Sequence, residues 1–180
     1  MAEFWSGKTV LLTGAAGFVG SHLMRALLDL GATPVGIDRA GSSPSLRALC
    51  GPAHPSIMVA DVTDLDAMLE AMDEVQPEVV LHLAGQSHIA ASQAAPYQAF
   101  AINTMGTVAV LEAVRRRAPK AAVVCASSNH VYVGGTQGGE WRHREYEPLQ
   151  AVDVYGASKR AADAAVQCYR HSCALRAAAV

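Results

Sequence analysis

KTVLLTGAAGFVG, Lys8 to Gly20, decides how this chain folds. The apolar run Val10 to Leu12 reads as a buried strand, and Thr13-Gly14-Ala15-Ala16-Gly17-Phe18-Val19-Gly20 turns sharply into a helix reaching Leu30. Gly14 serves the tight turn, Gly17 the close approach of a pyrophosphate, and Gly20 the packing of helix on strand. Unpaired backbone N–H groups at the helix start attract phosphate charge. Strand, glycine turn and helix in this order predict a dinucleotide-binding opening, with the rest of the chain building a sheet beside it.

Gly31 follows as the helix cap, and Thr33 to Ile37 reads as the second strand. Asp38 closes it, eighteen residues after Gly20. An acid there accepts hydrogen bonds from adenosine ribose hydroxyls and repels a 2′-phosphate, which favours NAD over NADP. A plain strand-end cap is the competing role for Asp38, and the neighbouring Arg39 offers a guanidinium to a phosphate. Residues 40 to 55 read as a loop with one helical turn at Leu46 to Leu49. Ser56 to Ala60 is the third strand, closed by Asp61-Val62. Thr63-x-x-Asp66 reads as a variant capping box before an apolar stripe of Leu65, Met68, Leu69 and Met72, which are core residues.

The fourth strand is Val79 to Leu83, and its His82 reads as a hydrogen-bonded structural residue rather than a catalyst. The turn Ala84-Gly85-Gln86-Ser87-His88 falls where an open parallel sheet delivers residues to its crevice. Pro96 opens a long helix to Arg117, with Phe100, Thr104, Val108 and Leu111 facing inward. Asn103, buried beside them, is expected to tie the helix to a neighbouring loop. Ala121 to Ala126 is the fifth strand and delivers Ser127-Ser128-Asn129-His130. Residues 133 to 152 form a long loop suited to covering a substrate. Tyr155-Gly156-Ala157-Ser158-Lys159 then opens a helix running towards Arg170, and Cys173 to Val180 is the sixth strand. This alternation predicts an α/β fold, a Rossmann-type doubly wound parallel sheet with helices on both faces, truncated after the sixth strand.

The chain's 180 residues suffice for one domain with a sizeable core, and the expectation is a single NAD-binding domain over 1–180. A net charge of −2 with dispersed basic residues offers no nucleic-acid groove. Arg115-Arg116-Arg117 reads as a solvated helix end. Cys50, Cys125, Cys168 and Cys173 lack paired metal spacing, so no metal is expected, and a reducing, cytoplasmic setting fits them. MAEFWSGK has no basic segment followed by an apolar one, and no run approaches the roughly 18 apolar residues of a membrane span.

Tyr155 and Lys159 are four apart on the predicted helix and share a face. An ammonium beside a phenol favours the phenolate, making Tyr155 a base for a hydroxyl proton near neutrality. Ser128, at the end of strand five, can hold the same hydroxyl. A nicotinamide in the crevice would take the hydride.

These residues, in this order, resemble the extended short-chain dehydrogenase/reductases, and within them the NAD-dependent epimerase/dehydratase family of nucleotide-sugar 4-epimerases and 4,6-dehydratases. The resemblance covers essentially the whole chain. TGAAGFVG (13 to 20) resembles the family's cofactor loop, implying contacts from Gly14, Ala16, Gly17, Phe18, Val19 and Gly20. Asp38 with Arg39 stands at the ribose-binding acid, and Asp61-Val62 at the adenine contact. HLAGQSHIAAS (82 to 92) resembles the segment under the cofactor, placing Leu83, Ala84 and Gly85 at it and His88 towards substrate. NTMGTVAVLEAVR (103 to 115) resembles the helix that follows. SSNHVY (127 to 132) and YGASK (155 to 159) imply catalytic Ser128, Tyr155 and Lys159, the last two also at the cofactor. The implied chemistry is transient oxidation of a hexose C4 hydroxyl by tightly held NAD, on a nucleotide-sugar. The resemblance also implies a homodimer through the helices near 97–117 and 154–170.

Three departures qualify what it implies. Dehydratases place an aspartate, then glutamate or lysine, after the catalytic Ser/Thr, where this chain has Asn129 and His130. Asn129 has no titratable proton, whereas His130 is a candidate base. The opening EFWSGK and HLAGQSHI nevertheless resemble the CDP-glucose dehydratase group. LRAAAV ends the chain where the family has a form like LRxxNVYG, so a substrate-facing asparagine is replaced by Ala179. A seventh strand and a smaller C-terminal substrate domain would follow Val180, so these residues are expected to be a fragment of a longer product or a truncated copy. Two other readings stand beside the epimerase/dehydratase: a carbonyl or keto-sugar reductase of the same fold, and a non-catalytic NAD-binding module.

Overall fold

Val10, Leu11 and Leu12 are fully buried because β1 (Thr9–Thr13) lies inside a parallel sheet covered on both faces. The structure is a computed structural model that describes residues 2–51, 54–132 and 143–180. Six strands, β1, β2 (Thr33–Asp38), β3 (Ile57–Val59), β4 (Val79–His82), β5 (Ala122–Cys125) and β6 (Arg176–Ala179), run in the order β3-β2-β1-β4-β5-β6. Every pairing is parallel. The chain thus leaves β1 on one side for β2 and β3 and returns on the other for β4. That reversal opens a crevice beyond the C-terminal ends of β1 and β4.

Side-chain alternation divides the core. Leu11 stands in register with Val80, Val80 with Val123, and Val123 with Ala177, which gives one continuous apolar row. It packs under α4 (Leu65–Val75), α7 (Gly106–Arg117) and α8 (Val154–Ser172) through Met68, Met72, Val110, Leu111, Val114 and Val166. Val10, Leu12, Val79 and Leu81 point the other way, against Met24 and Leu27 of α2 (Phe18–Asp29) and Leu46 of α3 (Pro44–Cys50). α2 ends as expected at Gly31, whose N–H reaches Leu28 O while that of Ala32 reaches Leu27 O.

Several local expectations are corrected. A four-residue helix, α1 (Ala2–Trp5), precedes β1. The loop after β2 holds a seven-residue helix, α3, because Ser43 Oγ accepts from Leu46 N, Pro44 starts the first turn, and Leu46 is fully buried. Asp64, not Thr63, caps α4: its Oδ1 accepts from Asp66 N and Ala67 N, while Thr63 bonds Asp61. The expected single helix from Pro96 is three segments, α6 (Pro96–Phe100), a π-helical turn (Ala101–Met105) and α7, preceded by α5 (Ile89–Ala94). The π turn shifts the helical phase, so Phe100 stays 39% exposed while Ala99, Asn103 and Val110 turn inward. α8 runs on to Ser172 and the left-handed Ala174 (φ 55°) follows, which delays β6 until Arg176. Arg115 and Arg116 both bond Glu112, and Arg117 lies 3.2 Å from Asp73, so the arginine run is ion-paired as well as solvated. Of the covering loop expected over 133–152, residues 133–142 lie outside the described residues. Among the described residues no helix is long and apolar enough to cross a membrane.

Candidate active site

The turn after β1 is built from backbone. Gly14 sits at φ 72°, donates its N–H to Ile37 O at 2.8 Å, and leaves no room for a Cβ, which would lie 2.8 Å from Ala84 N. A Cβ on Gly20 would collide with the Gly14 carbonyl oxygen. Asp38 locks the turn to the end of β2, its Oδ2 accepting from Ala16 N and its Oδ1 from Ala40 N, both at 3.0 Å. At Gly17 no side chain caps α2, so the first N–H groups of that helix keep their capacity for an anion.

Beyond these strand ends lies an open crevice of about 350 Å³. Its walls come from five places: Gly14 and Gly17 to Gly20 after β1, Asp38 and Arg39 at the end of β2, Asp61 and Val62 after β3, Leu83 to Ser87 at and after the end of β4, and Ile102 on the π-helical turn. Phe18 and Val19 lie in this wall although they are 75% and 60% exposed. Thr63 N and Oγ1 both donate to Asp61 Oδ1 and hold that carboxyl below its ordinary range. Ala16 acts through its N–H to Asp38 rather than as part of the wall.

The far end rests on a buried polar chain. Thr107 Oγ1 donates to Asn103 O at 2.7 Å, so it accepts from His82 Nε2 (3.1 Å), and His82 Nδ1 in turn accepts from Thr13 Oγ1 (2.7 Å). Thr13 Oγ1 takes the Ala84 N–H at 3.2 Å. Burial, and after it the charge of Lys159, pushes the His82 pKa down to about 3, so the ring is neutral and structural. Asn103 does tie its helix to the neighbouring loop. It accepts from Gln86 N (2.7 Å) and donates to Gln86 O (3.1 Å) and Ser158 Oγ (2.9 Å).

Lys159 stands just past Gly85: a Cβ on that glycine would be 3.9 Å from Lys159 Nζ, which donates to Ala126 O. Ser128, Tyr155 and Lys159 are therefore not in the crevice wall but beyond its Gly85 end, on the turn after β5 and the first turns of α8. Ser128 Oγ accepts from His130 N at 3.2 Å and caps the short 3₁₀ turn Asn129–Val131. The His130 ring meets the Tyr155 ring edge-on, with centroids 5.6 Å apart, and its Nδ1 lies 3.0 Å from Asp153 Oδ2. Asp153 also caps α8 by accepting from Gly156 N at 2.8 Å, and these two bonds, the Gly156 one first, hold its carboxyl below the ordinary range. His88 and Asn129 are exposed.

The family model described as the NAD dependent epimerase/dehydratase family matches residues 10–180. The chain belongs to that family. Among curated relatives in the family, the chain is similar to a CDP-glucose 4,6-dehydratase of Salmonella typhimurium, at 32% identity over 94% of this chain and 47% of the relative. It is also similar to UDP-glucuronate 4-epimerase 6 of Arabidopsis thaliana, at 33% identity over 92% of this chain and 37% of that protein. The solved structure of a UDP-glucose 4-epimerase from Brucella ovis in complex with NAD superposes with a TM-score of 0.84, at 26% identity, over 96% of this chain and 51% of that one. The chain spans about half the length of the curated dehydratases it matches or less.

Within this family member, the turn at Gln86 and Ser87 lines the crevice as the sequence reading placed it, whereas that reading passed over the contacts of Asp153, Asp163, Ser127 and Ser158, which join α8 to its surroundings, and Ile102 in the crevice wall. Asp153 carried a readable signal, an aspartate at the N-cap two residues before Tyr155. Asp163 carried one too, as the i+4 neighbour of Lys159.

Proposed function

We propose that this chain is the cofactor-holding part of an NAD-dependent enzyme that transiently oxidises a hydroxyl of a nucleotide-sugar, an epimerase or dehydratase. The observation that carries the reading is one path from the glycine turn and Asp38 through the crevice to Gly85 and on to Lys159, which follows Tyr155 by one turn of α8. The residues fit NAD: the space that a Cβ would fill at Gly14 and Gly20 is needed by the turn itself, and the uncapped start of α2 suits a pyrophosphate. Asp38 spends one acceptor site of each oxygen on backbone N–H groups and keeps others for ribose hydroxyls, while its charge disfavours a 2′-phosphate. The bound nicotinamide supplies the hydride chemistry. Ser128 holds the substrate hydroxyl, Tyr155 takes its proton, and Lys159 supplies the charge that makes Tyr155 a base.

The dehydratase branch draws support from His130. With Nδ1 hydrogen-bonded to Asp153, its Nε2 is left for proton exchange beside Tyr155, a second acid–base group where Asn129 supplies none. A homodimer is the expected assembly, since Tyr97, Phe100 and Met105 leave apolar surface exposed along the helix that packs beside α8.

Calorimetric titration of this chain with NAD, NADH and NADP tests the cofactor role. Saturable binding that prefers the NAD pair, weakened about tenfold or more by Asp38→Ala, is expected. Turnover of CDP-glucose, dTDP-glucose and UDP-glucuronate tests the rest: Tyr155→Phe should abolish it and spare NAD binding. Unchanged turnover in that variant refutes the base role.

A further inference from the structure

The two residues preceding Ser128 are both held by α8. Lys159 Nζ donates to Ala126 O at 2.5 Å, and Ser127 Oγ donates to Asp163 Oδ2 at 2.6 Å. Lys159 and Asp163 lie one turn apart on a single helix face and are only 8% and 9% exposed. A buried carboxylate is costly unless it is hydrogen-bonded and charge-paired, so its place here calls for a compensating role. The titratable groups facing Lys159 are Asp163 on α8, Cys125 on β5 and His82 on β4, and Tyr155 precedes it by one turn of α8. Burial pushes the Cys125 thiol up to about 12, which keeps it uncharged, and His82 is neutral. Asp163, which accepts from Ser127 one turn along the same helix face, is thus the acid of the group placed to act on Lys159. Burial lowers the pKa of Lys159 while Asp163 raises it. Burial likewise raises that of Asp163, opposed by Ser127 and Lys159.

We infer that Asp163 is a positioning residue whose carboxylate fixes the Ser127 end of β5 and keeps the Lys159 ammonium charged, one helical turn from Tyr155. Its importance for turnover rests on the function proposed above, because only there does the Lys159 charge activate a base. The electrostatic part stands alone and is measurable without substrate.

The sequence contains three lysines, Lys8, Lys120 and Lys159, so selective labelling of lysine ε-carbons gives three NMR signals, the third assigned by its loss in Lys159→Met. Asp163→Asn keeps an acceptor for Ser127 but removes the charge. It is expected to lower the Lys159 titration midpoint by about one pH unit. Asp163→Glu should restore the midpoint, and Ser127→Ala, which leaves the charge, should keep it near the wild-type value. Equal midpoints in wild type and Asp163→Asn overturn the inference, as does an equal shift in Ser127→Ala. In turnover, Asp163→Asn should bring the alkaline limb of the pH–rate profile to lower pH, since the ammonium is lost sooner. Should the midpoint move while Tyr155→Phe stays active, the proposed function fails and the Asp163 inference stands. An unmoved midpoint with an inactive Tyr155→Phe gives the opposite result.

Discussion

Acidification from pH 7 to pH 5 should cost this fold about 2 kcal/mol through His82 alone. The ring is buried, neutral and fixed in one tautomer by Thr13 and Thr107, and its pKa is pushed down to about 3. In the unfolded chain a histidine titrates at about 6.5. Between these values the unfolded state binds a proton that the folded state refuses. The contribution is therefore fully present above about pH 6.5 and is lost as pH falls towards about 3. At pH 5 the deficit is about 1.5 pH units at about 1.4 kcal/mol each, which gives the figure of about 2 kcal/mol. With a urea dependence of about 2 kcal/mol per molar, the unfolding midpoint should drop by about 1 M. Carboxylates whose pKa values are depressed, such as Asp61 and Asp153, start losing stability only nearer their unfolded range of about 4 and contribute little above pH 5. The control is His82→Gln, an uncharged amide that starts less stable at pH 7 but lacks the titration. Urea melts of both proteins at the two pH values decide the matter. An equal midpoint drop in wild type and His82→Gln refutes the reasoning.

Other substitutions probe the frame around the site. Asp64→Ala should cost about 1 kcal/mol, since it removes the acceptor of two N–H groups at the start of α4, and Thr63→Ala should cost less; thermal melts compare them. Gly20→Val drives a branched side chain into the Gly14 carbonyl and should abolish NAD binding in calorimetry, whereas a variant that binds as tightly as wild type would disprove the packing role of that glycine.

What the sequence made legible was what short-range chemistry determines. The glycine turn, the six strands in their alternation with helices, and Asn103 as a tie to the loop at Gln86 all follow from a residue and its near neighbours. The rest depended on tertiary geometry. Thr63 and Asp64 are both good capping residues, and only the path of the chain out of β3 selects Asp64. The π turn at Ala101–Met105 inserts its phase shift without any composition of its own, so a regular 3.6-residue period put Phe100 inward where it is half-exposed. Ser43 and Pro44 did announce α3, but they stand in a segment whose glycine, serine and proline content reads as loop. The i+4 spacing of Asp163 to Lys159 was readable, but its bond to Ser127 depended on β5 lying beside α8.

The arrangement separates two kinds of work. The cofactor side is shaped mainly by backbone: Gly14 against Ala84, Gly20 against the Gly14 carbonyl, the N–H groups of Ala16 and Ala40 on Asp38. The proton-transfer side is shaped by side chains of α8 gripping the turn after β5. Asp153 holds His130, Lys159 holds Ala126, Asp163 holds Ser127, and Ser158 links the helix to Asn103. A backbone-built pocket tolerates side-chain change except where a Cβ is forbidden, whereas a side-chain clamp transmits the loss of one member to the others. Asp163→Asn and Ser127→Ala should therefore couple non-additively in a double-mutant cycle for stability, because they share the Ser127–Asp163 bond. Gly20→Val and Asp163→Asn, on different sides, share no partner and should add.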